Sequence, residues 1–418
     1  GISRDLNTET GDVYIKLKAT DKYLDLAKIT GNSQDINKLT SDIKVMIQRP
    51  GSTEKEEVTT ISKTTTRTAT QPTYVEYQIK LSNFERNEGI TSIIIPQGVI
   101  VDKSGNGNKE TEIFVGNKTW LETGDNAANP EYTAFRNSVV DFTRPTWKYS
   151  TSNIRRDRDG ETGTVTLKIL GSDTYYLKDT LTEKDIKVYV ANSENPDMPV
   201  TTITKTLTKI TNESELNGAD TGYTLTLGNF GTHDGKVTIK IDSDTIKDTS
   251  GIGNKETDIE VGNPNWVETD INDDSTNPKY TAFRNSIVDF IKPTVTYQYA
   301  ENVNPVLDRE NSKVSISFNA TDTNFLESLI GLNDIRILVD GQDVTDVLEK
   351  KLENSDIMDE EDTEKQNGVK YTLTLSGFEL DENLADEIFR RHSGKIELII
   401  SEGKVKDTSG NENRETHI

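Results

Sequence analysis

One stretch of this chain occurs twice, and any fold proposed for it must accommodate that duplication. Asp102–Thr146 contains KETEIFVGNKTWLET and NPEYTAFRNSVVDFTRPT, and Asp248–Thr294 contains KETDIEVGNPNWVET and NPKYTAFRNSIVDFIKPT. A third copy begins at Val405 with VKDTSGNENRETHI. The near-identity runs from the end of one unit through a connector into the start of the next, so it marks a junction between repeated modules rather than a catalytic loop. Asp102, Asp248 and Asp407 are 146 and 159 residues apart, far beyond the roughly 20–50-residue periods of solenoids. Each repeat is therefore a whole domain with its own core. The expected units are 1–138 and 139–286, each with its connector, and 287–418. Opening at Gly1 in mid-pattern, the sequence reads as a piece of a longer array.

Within a repeat the apolar residues alternate. Val13, Ile15, Leu17 and Ala19 face away from Asp12, Tyr14, Lys16 and Lys18, the period of a half-buried strand. Val165, Leu167, Ile169 and Val314, Ile316, Phe318 repeat the pattern, and each run ends on a small residue followed by Asp21, Asp173 or Asp322. Ile43–Ile47, Ile186–Val190 and Ile335–Val339 supply second core strands, and the Thr-rich runs from Val58 and Val200 suit exposed strands. About seven short strands per repeat without a βαβ rhythm predict an all-β chain: three tandem immunoglobulin-like antiparallel β-sandwich domains in an elongated array. The third repeat differs by an acidic insertion, Asn354–Lys370, and by helical spacing over Leu380–Arg391.

Composition narrows the function. Asp and Glu number 71 against 48 Lys and Arg, a net charge of −23, which disfavours nucleic acid and anionic membrane surfaces as partners. Cations or basic partners fit better, although an acidic surface also serves simple solubility. With no cysteine there is no disulfide, thiolate metal site or cysteine nucleophile. No run approaches the ~18 apolar residues of a membrane span. Only His233, His392 and His417 are present, at non-equivalent places, and no Gly-rich loop cradles a phosphate. The expectation is a non-enzymatic, monomeric, extracellular chain.

VDFTRPT and VDFIKPT, taken with DKSGN (Asp102–Asn106) and DTSGN (Asp407–Asn411), resemble the bacterial Ig-like repeat domains found in tandem on surface proteins and adhesins. Those domains open on V-D-x-x-x-P-T and close with a D-x-S/A-G-N turn. The resemblance implies a stalk, spacer or adhesive array at the cell surface or secreted, in some members stiffened by Ca²⁺ near the junctions. Its partners would be a host surface protein or glycan, or neighbouring repeats of the parent chain. Ile252 departs from the pattern where the turn expects Asn. Two alternatives stand beside this reading: a binding module centred on the third repeat, and an accessory region of a large secreted hydrolase.

The D-x-S-G turn has a structural role of its own, since Asp accepts from backbone amides two or three residues on and Gly takes a positive φ. The same carboxylates are hard oxygen donors suited to Ca²⁺. The candidate ligands are Asp21, Asp102, Asn106, Asp173, Asp248, Asp322, Asp407 and Asn411; Asp157, Asp159 and Asp270–Asp274 are secondary. The repeated connector offers Trp120, Tyr132, Phe135 and Arg136, matched by Trp266, Tyr280, Phe283 and Arg284. The aromatics are expected to pack against the preceding domain and the arginines to reach acidic neighbours. Sugar stacking on the tryptophans is the alternative.

Overall fold

A computed structural model describes all residues except 7–10, 32–33, 158–162, 192–194, 270–272, 275, 277, 302, 361 and 379–393. The second domain shows the architecture most plainly. Thr146–Tyr149, Thr164–Ser172, Thr221–Gly228 and Thr204–Lys209 are neighbours in that order in one antiparallel sheet. Ile186–Val190, Gly235–Ile241 and Thr257–Glu260 form the other. Lettered along the chain, the sheets read A-B-E-D and C-F-G, the seven-strand immunoglobulin arrangement. Register explains the core: Val165 lies opposite Leu227, Leu167 opposite Leu225 and Ile169 opposite Tyr223. One face of that sheet thus meets Val188 and Ile239 from the other, and all are buried.

The outer domains repeat this plan. In the first, Ile2–Asp5, Asp12–Thr20, Tyr74–Ser82 and Ser62–Gln71 make one sheet, and Lys55–Glu57, Lys44–Gln48, Gly89–Ile95 and Thr111–Phe114 the other. In the third, Thr294–Tyr297, Lys313–Thr321, Gln366–Ser376 and Glu349–Met358 face a sheet built on Ile335–Val339 and Ile396–Ile400. The Thr-rich runs lead into the D strands at the sheet edges.

Local departures from the sequence reading are instructive. The first domain carries two short helices, Leu26–Gly31 and Gln34–Asp42, where strands alone were expected. The acidic insertion is no separate loop: Asn354–Met358 continues the D strand and pairs with Gln366–Tyr371 as a long hairpin. Asn354, Ser355, Asp356 and Met358 are exposed along this solvated edge. The helical spacing at Leu380–Arg391 lies outside the described residues.

Each connector is shared between two domains. Val139–Val140 pairs with Gly89–Ile90 of the first domain, and Phe142 packs in that domain's core against Phe84. Four residues later Thr146–Tyr149 is the A strand of the second domain. Ile287–Val288, Phe290 and Thr294–Tyr297 repeat the arrangement one domain on. The chain exposes 23251 Å², against about 16,000 Å² for a compact globule of its mass, as expected for domains in series.

Candidate metal centre at the domain junctions

Three segments distant in sequence converge at the first junction. Asp141 comes from the connector, Asp173 from the end of the B strand and Asp248 from the D-x-S-G turn, and one carboxylate oxygen from each lies within 4.8 Å of the others. Two oxygens held about 2.4 Å from a common ion are at most about 4.8 Å apart, so the spacing suits a Ca²⁺. Each aspartate divides its labour. Oδ1 of Asp141 accepts from Thr143 N at 2.9 Å, that of Asp173 from Tyr175 N at 2.7 Å, and that of Asp248 from Ser250 N and Ile252 N at 2.7 and 2.9 Å. Oδ2 of fully buried Asp248 has no hydrogen-bond partner. The turn therefore uses Oδ1 alone and leaves Oδ2 as an oxygen donor that could face a cation. Glu88 of the preceding domain lies near enough to raise Asp141 and Asp173 by its charge, with Oε1 accepting from Thr174 Oγ1 at 2.7 Å and Oε2 buried without a hydrogen-bond partner.

The second junction repeats the cluster with Asp289, Asp322 and Asp407. Here amides occupy more of the acceptors. Asn411 Nδ2 donates to Asp407 Oδ2 at 2.7 Å, and Asn324 Nδ2 to Asp289 Oδ2 at 2.9 Å and to Asp234 at 3.3 Å. Asp234 stands where Glu88 stands one domain earlier, each immediately before the glycine that opens the F strand.

Buried carboxylates of like charge are costly unless protonated or paired with a cation. Burial pushes Asp248 up to about 7, with Asp173 adding repulsion, and pushes Asp173 up to about 6. Asp141 is raised by burial and then by Asp248. At the second junction burial and the Asp289 charge push Asp322 up to about 7, and burial followed by Asp289 and Asp322 drives Asp407 well above the ordinary carboxylate range. Asp102 occupies the same turn in the first domain, yet hydrogen bonds from Asn106 hold it below its usual value. The difference lies in cover. Asp102 is half-buried, whereas Asp248 and Asp407 are fully buried.

Around each cluster the domains are clamped. Arg4 reaches the next domain through Ser250 O at 2.5 Å, touches Asp141 O at 3.4 Å and pairs with Glu122 at 2.6 Å. Arg156 does the same one domain on, with Asp289 O at 3.0 Å, Ser409 O, and Glu268 at 3.1 Å. Ala134 N donates to Thr249 O and Ala282 N to Thr408 O, both at 3.1 Å. Ile252, the departure from the turn pattern, packs into the first domain's core cluster. An apolar side chain suits that position because it crosses the junction.

Of the residues singled out from sequence, Asp173 and Asp248 come together at one junction and Asp322 and Asp407 at the other. Asp21, Asp102 and Asn106 line a single cavity on the first domain, outside either cluster. Asn106 and Asn411 cap their turn aspartates through side-chain amides. Asp157 lies on a strand beside the B strand, Asp273 pairs with Arg284, and Asp274 accepts from Thr276; Asp159 and residues 270–272 lie outside the described set. Phe135 and Phe283 are buried in the preceding domains, with Trp120 and Trp266 edge-on to them at 5.4 and 5.2 Å. The indole N–H of each tryptophan donates to a carboxylate, Glu122 or Glu268. Tyr132 differs from expectation: its ring lies over Gly251 of the following domain. Arg136 and Arg284 pair within the connector, with Asp125 and Asp273. Asp141, Asp289, Glu88, Asp234, Arg4 and Arg156 escaped the sequence reading, although the recurring V-D-F carried the first two.

No protein-family model matches the chain, and no curated protein matches it. Among solved structures, a marsupial T cell receptor is similar to it at 12% identity, over 100% of this chain and 97% of that one, with a TM-score of 0.16. That score is too low to support an argument, and the sandwich assignment stands on sheet order and register.

Proposed function

We propose that the chain is a non-enzymatic spacer or adhesive array of a secreted or cell-surface bacterial protein, with junctions locked by Ca²⁺. The observation that carries this reading is the recurrence of one three-carboxylate cluster at both junctions, built each time from a connector, a B-strand end and a D-x-S-G turn. The connector belongs to the core of one domain and the turn to the next, so an ion bridging them resists bending between domains. Free Oδ2 of Asp248 and Oε2 of Glu88 point to a missing positive partner. Carbonyls and water would complete the six to eight oxygens that Ca²⁺ requires. The chain's part would be geometric: it holds a terminal binding region, for a host protein or glycan, away from its anchor.

Calcium titration by calorimetry tests the assignment. Two ions per chain are expected, falling to one in Asp141→Asn and one in Asp289→Asn. Each substitution keeps the Oδ1 acceptor of the local turn. Less than one ion per chain at millimolar Ca²⁺ refutes it.

A further inference from the structure

The two junction clusters share their three aspartates but not the residues that face them. Asn411 stands four residues after the turn aspartate Asp407, where Ile252 stands after Asp248. Asn324 stands two residues after the strand-end aspartate Asp322, where Tyr175 stands after Asp173. Both asparagines turn their amides onto cluster oxygens. Asn411 Nδ2 lies 2.7 Å from Asp407 Oδ2, 3.2 Å from Asp289 O and 3.1 Å from Ile291 O, and three acceptors around one atom require it to be the donating nitrogen. Asn324 Nδ2 lies between carboxylate oxygens of Asp289 and Asp234, at 2.9 and 3.3 Å. Among the described residues the side-chain donor to Asp141, Asp173 and Asp248 is a hydroxyl, Ser250 Oγ, 3.4 Å from Asp141 Oδ2. The buried atoms without hydrogen-bond partners differ in the same sense. At the first junction they include carboxylate oxygens, Oδ2 of Asp248 and Oε2 of Glu88, whereas at the second they include the Ser409 hydroxyl. An unpaired charge is far harder to bury than an unpaired hydroxyl.

We infer that the junctions load in order: the first is the high-affinity Ca²⁺ site, and the second takes its ion only at a higher concentration, because Asn411 and Asn324 hold oxygens that the ion must reclaim. The order rests on the Ca²⁺ reading of the junctions. Hydrogen bonds to an ionised acceptor are stronger than neutral ones. An ion entering the second cluster exchanges amide bonds of this kind, whereas at the first it meets carboxylate oxygens that no amide side chain holds. Giving up even one such bond weakens binding at least about tenfold. Ile252 packs in the first domain's core cluster, so the residue that breaks the turn pattern is the one that leaves Asp248 Oδ2 to the ion. Between the two concentrations the first junction is fixed by its ion, while the second is held by its amides and by Arg156. The array therefore stiffens in two steps.

Calcium calorimetry of the full chain with one cluster disabled reads each site alone. Asp289→Asn leaves the first site and Asp141→Asn the second, and the dissociation constant is expected to be at least about tenfold smaller at the first. In the Asp141→Asn background, Asn411→Ile and Asn324→Ala should each tighten the remaining site. Asn411→Ile also gives up bonds to two connector carbonyls; Asn324→Ala removes side-chain bonds to carboxylates alone, and it decides the matter if the former does not fold. No ion bound by the wild-type chain or by either single variant overturns the Ca²⁺ reading and this order with it. Ions bound with equal affinity at the two junctions, or more tightly at the second, overturn the order and leave the Ca²⁺ reading standing. A second site that Asn324→Ala does not tighten overturns the role given to the amides.

Discussion

Arg156→Met isolates the clamp from the ion. The guanidinium is fully buried, bonds Asp289 O and Ser409 O across the second junction and pairs with Glu268, itself 6% exposed. Methionine keeps an apolar stem but removes the guanidinium that lies over the Phe290 ring at 5.3 Å and its ion pair with Glu268. Removing one member of a buried pair costs about 3–5 kcal/mol, which at about 1.4 kcal/mol per decade is a factor of about 10² to several 10³ in local opening. The amides of Ser409 and Asn411, both bonded to Asp407 Oδ1 at 2.8 Å, should exchange faster by that factor in EGTA. Ser250 and Ile252, at the junction held by Arg4, should not change. Adding Glu268→Gln should recover part of the loss, because the uncompensated charge is then gone. Acceleration below about fivefold, under ~1 kcal/mol, refutes the argument that Arg156 secures this junction.

Two further predictions concern pH and packing. In EGTA the junction carboxylates are raised in the folded state, Asp173 to about 6 and Asp248 and Asp322 to about 7, so the folded chain binds more protons than the unfolded one. Their contribution is fully present below the unfolded value of about 4 and is lost as pH rises through 6–7. Melting temperature in EGTA should therefore fall from pH 4.5 to 7.5, and saturating Ca²⁺ should reduce the fall; a rise in EGTA refutes the burial argument. Gly163 has φ +55° and faces the Phe290 ring, where a Cβ has no room, whereas Gly105 has φ +85° and open surroundings. Calorimetry of Gly163→Ala should show a loss of more than about 2 kcal/mol from strain and overpacking together, against about 1 kcal/mol for Gly105→Ala; equal losses would contradict this.

The sandwich was legible because two-residue alternation specifies the buried face directly, as at Val165, Leu167 and Ile169 against Tyr223, Leu225 and Leu227. The junctions were legible because the connector is written twice. The helices at Leu26–Asp42 were not, since they replace a strand edge in one repeat only and lack a counterpart for comparison. Two of the three carboxylates in each cluster were found from the turn and strand-end aspartates. Asp141 and Asp289 were overlooked because their partners come from strands dozens of residues away, and the convergence is tertiary. Arg4 and Arg156 sit in strands that look like ordinary solvated edges; only the packing of one domain on the next buries them.

Small-angle scattering of the full chain, in excess Ca²⁺ and again in EGTA at pH 7.5, tests the proposal that Ca²⁺ locks the junctions. The account predicts a longer, narrower distribution of interatomic distances with Ca²⁺, a broadened one in EGTA, and no response to Ca²⁺ in the Asp141→Asn, Asp289→Asn double variant. Superimposable profiles from the wild-type chain with two ions bound and with none would contradict it, leaving the arginine clamps and connector packing to fix the array unaided.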